Sequence, residues 1–341
     1  MSAGYKVIDS RTLADRADPA RDFAIDVLVG LTERPKRLNS AYFYDDVGSD
    51  LFQQIMDLYE YYPTNCERQI LEEWADQILA PLRDKPFNLV DLGAGDGAKT
   101  MALLQNLVDG GSDFTYVPID ISEGAMKGLV DRIASLQPNV KIEGLVAEYA
   151  DAIHWLDAQG TGRPNLVLFL GSNIGNFDKA NARAFLRRIW NALGTGDYAL
   201  IGFDLKKDIE LLLRAYNDSH GVTASFNLNI LERMNRELDA NFDIEQFRHY
   251  GTYDVFSGAM KSYLVSLERQ AVFVGALQHT FHFEAWEPIL TEYSYKYLES
   301  DIDDLASDTG FVMQKKFYDR RRYFVNALWR VEKDDPPANV G

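Results

Sequence analysis

A glycine-rich segment, residues 91–97 (DLGAGDG), follows an apolar run and precedes a stretch with helical spacing. Glycines at a strand-to-helix turn let the backbone turn sharply and let a ligand approach it without Cβ collisions. We therefore expect a nucleoside-bearing cofactor to lie against Gly93 and Gly95. Because Gly93, Gly95 and Ala98 also satisfy the G-x-G-x-x-G/A pattern of dinucleotide-binding proteins, the loop alone leaves the cofactor class open.

Further side chains are placed to bind such a cofactor. Asp120 ends the second predicted strand, where its carboxylate can accept hydrogen bonds from both ribose hydroxyls. Glu148 and Tyr149 follow the third strand and are candidates for the adenine, one as an acceptor and the other as a packing surface. Lys99, in the first helical turn after the loop, can reach a cofactor carboxylate. In purely structural roles, Asp120 would be a helix cap and Lys99 a solvated charge.

A parallel sheet would bring these residues to one edge. Apolar runs alternate with stretches of helical spacing, and Ser122 and Asp178 can cap two of the helices. Such alternation predicts right-handed βαβ units. The predicted strands are residues 87–92, 114–119, 141–147, 165–170 and 198–203.

The pattern changes after residue 205, where segments 262–267, 271–274 and 280–283 alternate as antiparallel strands do. Two further strands, 311–318 and 323–331, are predicted to close the chain as an antiparallel hairpin. A hairpin that completes an otherwise parallel sheet resembles the class I S-adenosylmethionine (SAM)-dependent methyltransferase fold. Asp91 strengthens the resemblance, since it gives the D-x-G-x-G-x-G pattern of methyltransferase motif I.

We therefore predict an α/β fold with two domains. Residues 66–205 and 297–341 would form a Rossmann-like SAM-binding core with a mostly parallel, seven-stranded sheet. Residues 1–65 and 206–296 would form a second, α+β domain that binds the substrate.

Six longer segments form a more specific pattern. They are YDDVGSDLF (44–52), EYYPT (60–64), FLGSNIGN (169–176), RAYND (214–218), GVTASFN (221–227) and LTEYSYK (290–296). In sequence and order they resemble the histidine-specific Nα-methyltransferases of ergothioneine biosynthesis, which convert L-histidine to trimethylated hercynine. The resemblance covers nearly the whole chain and implies SAM as the methyl donor and L-histidine as the substrate.

The resemblance also implies which residues bind the substrate. Asn176 and Tyr216 would hold the carboxylate, and Glu292 with Ser294 would hydrogen-bond the imidazole. The chemistry suits these types, because a carboxylate takes neutral donors and an imidazole N–H needs an acceptor. Glu292 and Ser294 are two residues apart, so on a strand both side chains face the same way. Without the resemblance, Asn176 would be read as a turn residue and Glu292 as a solvated charge.

The resemblance implies three other residues around the substrate. Gly171 would let the backbone approach the amino group, Tyr61 would line the substrate pocket, and Tyr44 would lie near the amine. Methyl transfer from a sulfonium is an in-line displacement that needs a neutral amine. Tyr44, directly or through water, is our catalytic candidate for orienting the amine or accepting its proton.

The sequence departs from the family at two positions. Our alignment places Ser262 where family members often carry a methionine against the substrate ring, while Met260 lies two residues away on the same strand face. The sequence leaves open which of the two faces the ring. Glu148 stands where we would expect an aspartate beside the adenine.

Composition limits the class of protein. The chain has 341 residues, is 46% hydrophobic and carries a formal net charge of -17, so we expect a globular protein that repels nucleic acid and anionic lipid. No apolar run approaches the roughly 18 residues of a membrane span. Residues 1–21 lack the apolar core of a signal peptide, and one cysteine, Cys66, allows no internal disulfide. We expect a cytoplasmic monomer, and the five histidines show no metal-ligand spacing.

Other functions stay open at this point. The same fold could methylate another aromatic amino acid, such as tryptophan or tyrosine. A nicotinamide-dependent dehydrogenase would show NADH bound in place of SAM, and a non-catalytic amino-acid sensor would bind without turnover.

Overall fold

The computed structural model describes residues 5–7, 19–158 and 162–333, which divide into two compact units. Unit 1 contains the described residues of Met1–Asp9, Asn65–Lys206 and Tyr297–Gly341. Unit 2 contains those of Ser10–Thr64 and Lys207–Lys296. The predicted domain boundaries after residues 65, 205 and 296 lie within one residue of these divisions.

The strands, in chain order, are β1 (Tyr5–Val7), β2 (Lys36–Arg37), β3 (Phe87–Leu92), β4 (Phe114–Asp120), β5 (Lys141–Ile142), β6 (Gly144–Val146), β7 (Asn165–Phe169), β8 (Tyr198–Asp204), β9 (Phe247–Asp254), β10 (Ala259–Ser266), β11 (Gln270–Val274), β12 (His279–Phe283), β13 (Pro288–Tyr295), β14 (Phe311–Tyr318) and β15 (Phe324–Val331). The helices are α1 (Pro19–Thr32), α2 (Asp46–Asp57), α3 (Tyr62–Leu79), α4 (Met101–Asp109), α5 (Glu123–Leu136), α6 (Tyr149–Ala158), α7 (Lys179–Ala192), α8 (Ile209–Tyr216), α9 (Val222–Glu237) and α10 (Glu299–Thr309).

Unit 1 is built on one sheet in the order β1-β6-β4-β3-β7-β8-β15-β14, with β5 also paired to β4. In this order, neighbouring strands from β1 through β6, β4, β3 and β7 to β8 pair in parallel. Strand β15 pairs antiparallel with both β8 and β14. Every residue of β7 is buried, as expected for a central parallel strand covered on both faces. The predicted class I methyltransferase fold, a parallel sheet closed by an antiparallel hairpin, is confirmed.

Two features of this sheet differ from the prediction of seven strands. The third predicted strand is interrupted at Glu143, so β5 and β6 pair with separate parts of β4. In addition, β1 lies at the edge of the sheet, paired in parallel with Gly144–Val146. We assigned residues 1–65 to the substrate domain. Backbone pairing instead places Tyr5–Val7 in unit 1, and the described residues form a nine-stranded sheet.

Unit 2 contains a four-stranded sheet in the order β2-β13-β10-β9 and a separate two-stranded sheet of β11 and β12. Strand β10 pairs antiparallel with β9 and β13, and β11 pairs antiparallel with β12, as the alternating segments predict. The core of this unit packs α1 and α9 against these strands, with Phe23, Phe226, Ile230 and Phe283 among its buried side chains. We assigned no helix to the residues of α9 from the sequence.

No helix of the described residues has both the length and the apolar character needed to cross a membrane. The expectation of no signal peptide concerns residues 1–21, of which 1–4 and 8–18 lie outside the described residues.

Candidate active site

The glycine loop joins β3 to α4 at the carboxyl end of the parallel sheet, the edge at which such folds bind ligands. Gly93, Gly95 and Gly97 all have positive φ, a region that other residues rarely adopt. A Cβ added to Gly95 would meet no described atom within 4 Å, so a ligand has room to lie against this backbone. The loop therefore has the form that the sequence predicts for a cofactor site.

Asp120, at the end of β4, holds this loop in place. Its Oδ2 accepts a hydrogen bond of 2.8 Å from the Gly95 amide, and its Oδ1 accepts one of 2.9 Å from the Ser122 amide. Burial raises the pKa of Asp120, although these backbone bonds lower it. Each carboxylate oxygen has a second lone pair, so the residue can both order the loop and accept from ribose hydroxyls.

Asp91 has a structural part in the same loop that we did not assign to it. It is buried, and its Oδ2 accepts hydrogen bonds from Thr100 Oγ1 at 2.6 Å and from Tyr116 OH at 2.9 Å. Burial raises the pKa of Asp91 to about 6, although the bonds from Thr100 and Tyr116 lower it. The carboxylate thus ties the end of β3 to the start of the following helix.

Tyr149 lies beside the loop at the start of α6. A Cβ on Gly93 would be 2.9 Å from its hydroxyl oxygen, and its ring packs against Phe169 and Phe185 with centroids 5.3 and 5.5 Å away. Burial raises the pKa of the Tyr149 hydroxyl, which therefore stays protonated. Its neighbour Glu148 is exposed just before the helix. The structure brings Tyr149 to the glycine loop, whereas the adenine roles of both residues stay predictions.

Lys99 pairs with a buried acid that sequence reasoning missed. Its Nζ is 3.2 Å from Oε2 of Glu67, a residue of α3 that is 0% exposed. The same carboxylate accepts the Gly171 amide hydrogen bond, at 2.8 and 3.0 Å from its two oxygens. A Cβ on Gly202 would be 2.3 Å from Oε1 of Glu67, so a larger residue at 202 would displace this carboxylate from its present position. Glu67 thus fixes two of the predicted site residues, Lys99 and Gly171.

Gly171 and Asn176 lie at the two ends of a turn that follows β7. Gly171 and Ser172 both have positive φ, and Asn173–Asn176 forms a single turn of 3₁₀ helix. Ser172 Oγ accepts a 3.0 Å hydrogen bond from the Asp204 amide, which fixes the turn to the end of β8. Asn176 ends the turn with its side chain partly exposed.

In unit 2, Tyr216 and Ser294 belong to a buried hydrogen-bonded triangle whose third member is Lys296. The Tyr216 hydroxyl donates to Ser294 Oγ at 2.7 Å. Lys296 Nζ donates to Tyr216 OH at 2.7 Å and to Ser294 Oγ at 2.8 Å. Lys296 is only 3% exposed, and sequence reasoning missed it because a lysine at the end of a strand resembles any solvated charge.

Glu292 and Ser294 lie on one face of the sheet, next to the residues that β10 pairs with them. The register pairs Glu292 with Ser262 and Ser294 with Met260. Burial raises the pKa of Glu292 to about 7, although the charge of Lys296 lowers it. Ser262 and Met260 therefore both lie beside the predicted imidazole ligands, and the register favours Ser262 as the neighbour of the acid.

Tyr61 and Tyr44 belong to a run of aromatic contacts in unit 2. Tyr61 packs edge-on against Tyr216 and against Phe52, each with centroids 6.3 Å apart. Phe52 in turn packs against Tyr44 at 5.6 Å. The structure thus links Tyr44, Tyr61 and Tyr216, which the sequence places in three separate segments.

Among the residues that the structure describes, no group of three or more histidine, cysteine, aspartate or glutamate side chains could hold a metal ion. The side chains that we expect to contact the substrate instead supply hydroxyls, one amide and one carboxyl group.

Comparison with known proteins identifies the family. The family model described as "Histidine-specific methyltransferase, SAM-dependent" matches residues 23–331. The histidine N-alpha-methyltransferase of Mycolicibacterium smegmatis is 39% identical over 308 residues, which cover 90% of this chain and 92% of that protein. The Mycobacterium tuberculosis protein of the same name is 39% identical over 80% of this chain and 83% of its own length. Ergothioneine biosynthesis protein 1 of Schizosaccharomyces pombe is 31% identical over 82% of this chain and 37% of its own length.

The match spans most of both units, and the family predicted from the sequence is confirmed. The chain belongs to the family of histidine-specific, SAM-dependent methyltransferases.

Proposed function

We propose that this protein transfers methyl groups from SAM to the α-amino nitrogen of L-histidine, three in succession, to form hercynine. The observation that carries the proposal is the pair Glu292 and Ser294 on one face of β13, a carboxyl and a hydroxyl that can each hydrogen-bond one nitrogen of an imidazole. A hydrogen bond to a charged group contributes about 1.5 to 3 kcal/mol, which is enough to favour histidine over an apolar amino acid.

We assign cofactor binding to unit 1. The open face of Gly95 and the lone pairs left on Asp120 fit a nucleoside, with Tyr149 and Glu148 for the adenine and Lys99 for the carboxylate. When bound there, SAM supplies an electrophilic methyl group on its sulfonium. Since the ion pair with Glu67 already orients Lys99, this lysine can meet a carboxylate with little loss of side-chain entropy.

Substrate contacts are proposed in each unit. In unit 1, Asn176 would donate to the carboxylate, and the backbone at Gly171 would lie near the amino group. In unit 2, Tyr216 would donate to the carboxylate, and Glu292 and Ser294 would hold the ring. In the structure the Tyr216 proton is given to Ser294, so donation to a carboxylate requires that bond to switch.

Catalysis would then depend mainly on positioning. The amine must be neutral, with its lone pair aimed at the methyl carbon, and Tyr44 is our candidate for orienting it or accepting its proton. Holding both reactants in line can contribute about 7 to 11 kcal/mol. The rings of Tyr44 and Tyr61 could stabilise the growing ammonium cation by about 0.5 to 2 kcal/mol.

Mass spectrometry of the purified protein with SAM and each aromatic amino acid tests the proposal. We expect histidine alone to gain one, two and then three methyl groups. A matched pair of variants, Gly95→Val and Gly111→Val, controls for contaminating activity. Both positions have positive φ and no described atom near an added Cβ, but only Gly95 lies in the cofactor loop. Methylation of tryptophan or tyrosine instead, or SAM binding without turnover, would contradict the proposal.

We further propose that the protein is a cytoplasmic monomer that binds no nucleic acid. Support comes from the formal net charge of -17, which repels phosphate backbones. Light scattering coupled to size exclusion would give the mass of the monomer, and a dimer mass would contradict this expectation. Cell fractionation and a binding assay with labelled DNA and RNA would test the other two expectations.

A further inference from the structure

Helix α8 ends at Tyr216, and the carbonyl groups of its last turn need hydrogen-bond donors from outside the helix. One such donor is His249 of β9, whose Nε2 lies 3.0 Å from the Tyr216 carbonyl oxygen. Because a carbonyl oxygen can only accept, Nε2 must carry the proton. None of the proposed substrate contacts uses this histidine, yet it holds the backbone of Tyr216, one of the proposed substrate ligands.

The surroundings of His249 favour one form of its ring. Burial lowers the pKa of His249, although the bond to the Tyr216 carbonyl raises it, so the ring is neutral at neutral pH. Its Nδ1 is buried and has no hydrogen-bond partner among the described residues, so a second proton there would lack an acceptor. The neutral ring with its proton on Nε2 is the form that serves the Tyr216 carbonyl.

The next residue, Asn217, fastens the same turn to β9, which lies at the edge of the four-stranded sheet. Its Nδ2 donates to the carbonyl oxygens of Leu213 at 2.9 Å and of Gly251 at 3.0 Å. Its Oδ1 accepts from the Gly251 amide at 2.8 Å. The side chain of Asn217 thus caps the end of α8 and also pairs with Gly251 in the way that a neighbouring strand would.

Gly251 provides the space for these contacts. A Cβ at this position would lie 2.9 Å from the Tyr216 carbonyl oxygen and 2.9 Å from Asn217 Nδ2. A side chain there would therefore push the end of α8 away from β9. Asp218 fixes the other side of the junction, because its carboxylate accepts from three backbone amides in the residues that lead into α9. The backbone on both sides of Asn217 is thus held by its neighbours.

We propose that His249, Asn217 and Gly251 form a clamp that positions Tyr216 for the substrate carboxylate. This inference rests on the proposed function, from which it takes the carboxylate contact of Tyr216. A donor that is already held in place loses little entropy when the substrate binds. Because the clamp holds the backbone, the Tyr216 hydroxyl can exchange its present partner for a carboxylate while the helix end keeps its place. His249 is a positioning residue, since it acts through the Tyr216 carbonyl and needs no contact with the substrate.

His249→Met and His249→Gln form a matched pair of variants. Methionine and glutamine have similar lengths, but only glutamine keeps an N–H that can reach the carbonyl oxygen. We expect His249→Met to raise KM for L-histidine about two- to tenfold, the range for loss of one hydrogen bond, with a smaller change in kcat and none in KM for SAM. His249→Gln should restore most of the loss. The control His282→Met, at an exposed position of β12, should leave both KM values unchanged.

A double-mutant cycle shows whether His249 acts through Tyr216. Tyr216→Phe removes the hydroxyl proposed to bind the carboxylate, so adding His249→Met to it should raise KM for L-histidine little further. Gly251→Ala disturbs the clamp without changing His249, and its effect on KM should vanish in the same background. If His249→Met does not fold, Gly251→Ala decides by the same measurement.

Two results would overturn the inference while leaving the proposed function intact. One is an unchanged KM for L-histidine in the single variants. The other is a pair of effects from His249→Met and Tyr216→Phe that multiply, as independent sites do. A wild-type protein that does not methylate L-histidine would overturn the proposed function itself.

Discussion

Replacing Glu292 by glutamine should make the protein more stable at alkaline pH while it removes activity on histidine. The pKa of Glu292 is raised from 4.5 to about 7, chiefly by burial. Below about pH 4.5 the carboxyl is protonated in the folded and the unfolded chain, so it imposes no ionisation cost. As pH rises toward the folded pKa, the unfolded state ionises first and stability is lost. Above the folded pKa the whole cost is present.

The size of this effect follows from the two pKa values. Each pKa unit is worth about 1.4 kcal/mol, so a rise from 4.5 to about 7 corresponds to about 3 kcal/mol. Glutamine stays neutral and avoids this cost. The free energy of unfolding of Glu292→Gln relative to wild type should therefore increase by about 3 kcal/mol between about pH 4.5 and pH 8.5. Histidine turnover should fall at least tenfold because an ionised acceptor is lost.

Urea unfolding of both proteins without SAM, monitored by circular dichroism at acidic and at alkaline pH, measures this difference in the free energy of unfolding. Glu287→Gln is a control with the opposite sign. Burial opposes ionisation of Glu287, but the ion pair with Lys36 outweighs it and the pKa is lowered. The ion pair stabilises the protein at alkaline pH, and this contribution is lost on acidification. Glu287→Gln should therefore destabilise the protein at alkaline pH. Equal stability differences for Glu292→Gln at both pH values would refute the reasoning.

Three further predictions concern the other site residues. Glu67→Gln removes the buried carboxylate that pairs with Lys99, so it should lower the free energy of unfolding by about 3 kcal/mol and raise KM for SAM. Calorimetry and initial rates measure the two effects, and an unchanged KM would contradict the role of Glu67 in orienting the lysine. Gly95→Val should weaken SAM binding at least tenfold in isothermal titration, whereas Gly111→Val, with a similar backbone strain, should not; equal losses would point to strain alone. Tyr44→Phe should lower kcat for histidine with a smaller effect on KM, and it should shift the pH dependence of kcat. A change in KM alone would rule out a part for Tyr44 in proton transfer.

Much of the secondary structure of unit 1 could be predicted from local sequence. Apolar runs ending in glycine or aspartate mark strands whose carboxyl ends meet at one edge, and the predicted caps Ser122 and Asp178 accept bonds from the first turns of their helices. Only backbone pairing decides where a short strand goes. Residues Tyr5–Val7 carry no signal that would assign them to β6 rather than to the other unit.

Helix α9 shows why the secondary structure of unit 2 was harder to predict. Its buried face includes Thr223, Asn227 and Asn229, so apolar periodicity is weak. Both asparagines have hydrogen-bond partners far away in the chain: Asn227 accepts from Thr291 at 2.9 Å, and Asn229 donates to Asp45 at 2.8 Å. Polar residues that are buried because they find distant partners look like surface residues in a sequence.

The same limit applies to the site. Tyr216, Glu292 and Ser294 could be named only through the family resemblance, because each type is common on ordinary surfaces. Glu67 and Lys296 were missed, since a single acid on a helix and a single lysine after a strand have no local pattern. Their importance is visible only in what they contact.

The close approach of Gly202 to Glu67 has a consequence for sequence variation. An alanine at position 202 would place its methyl group where the Glu67 carboxylate lies, so the two positions constrain each other although they are far apart in the chain. Alanine at 202 should be better tolerated after position 67 has taken a smaller side chain, although the Phe324 ring, 3.1 Å from the added Cβ, must also move slightly. Among related sequences the pair should therefore covary, and any lineage that loses the acid becomes free to fill the space it leaves.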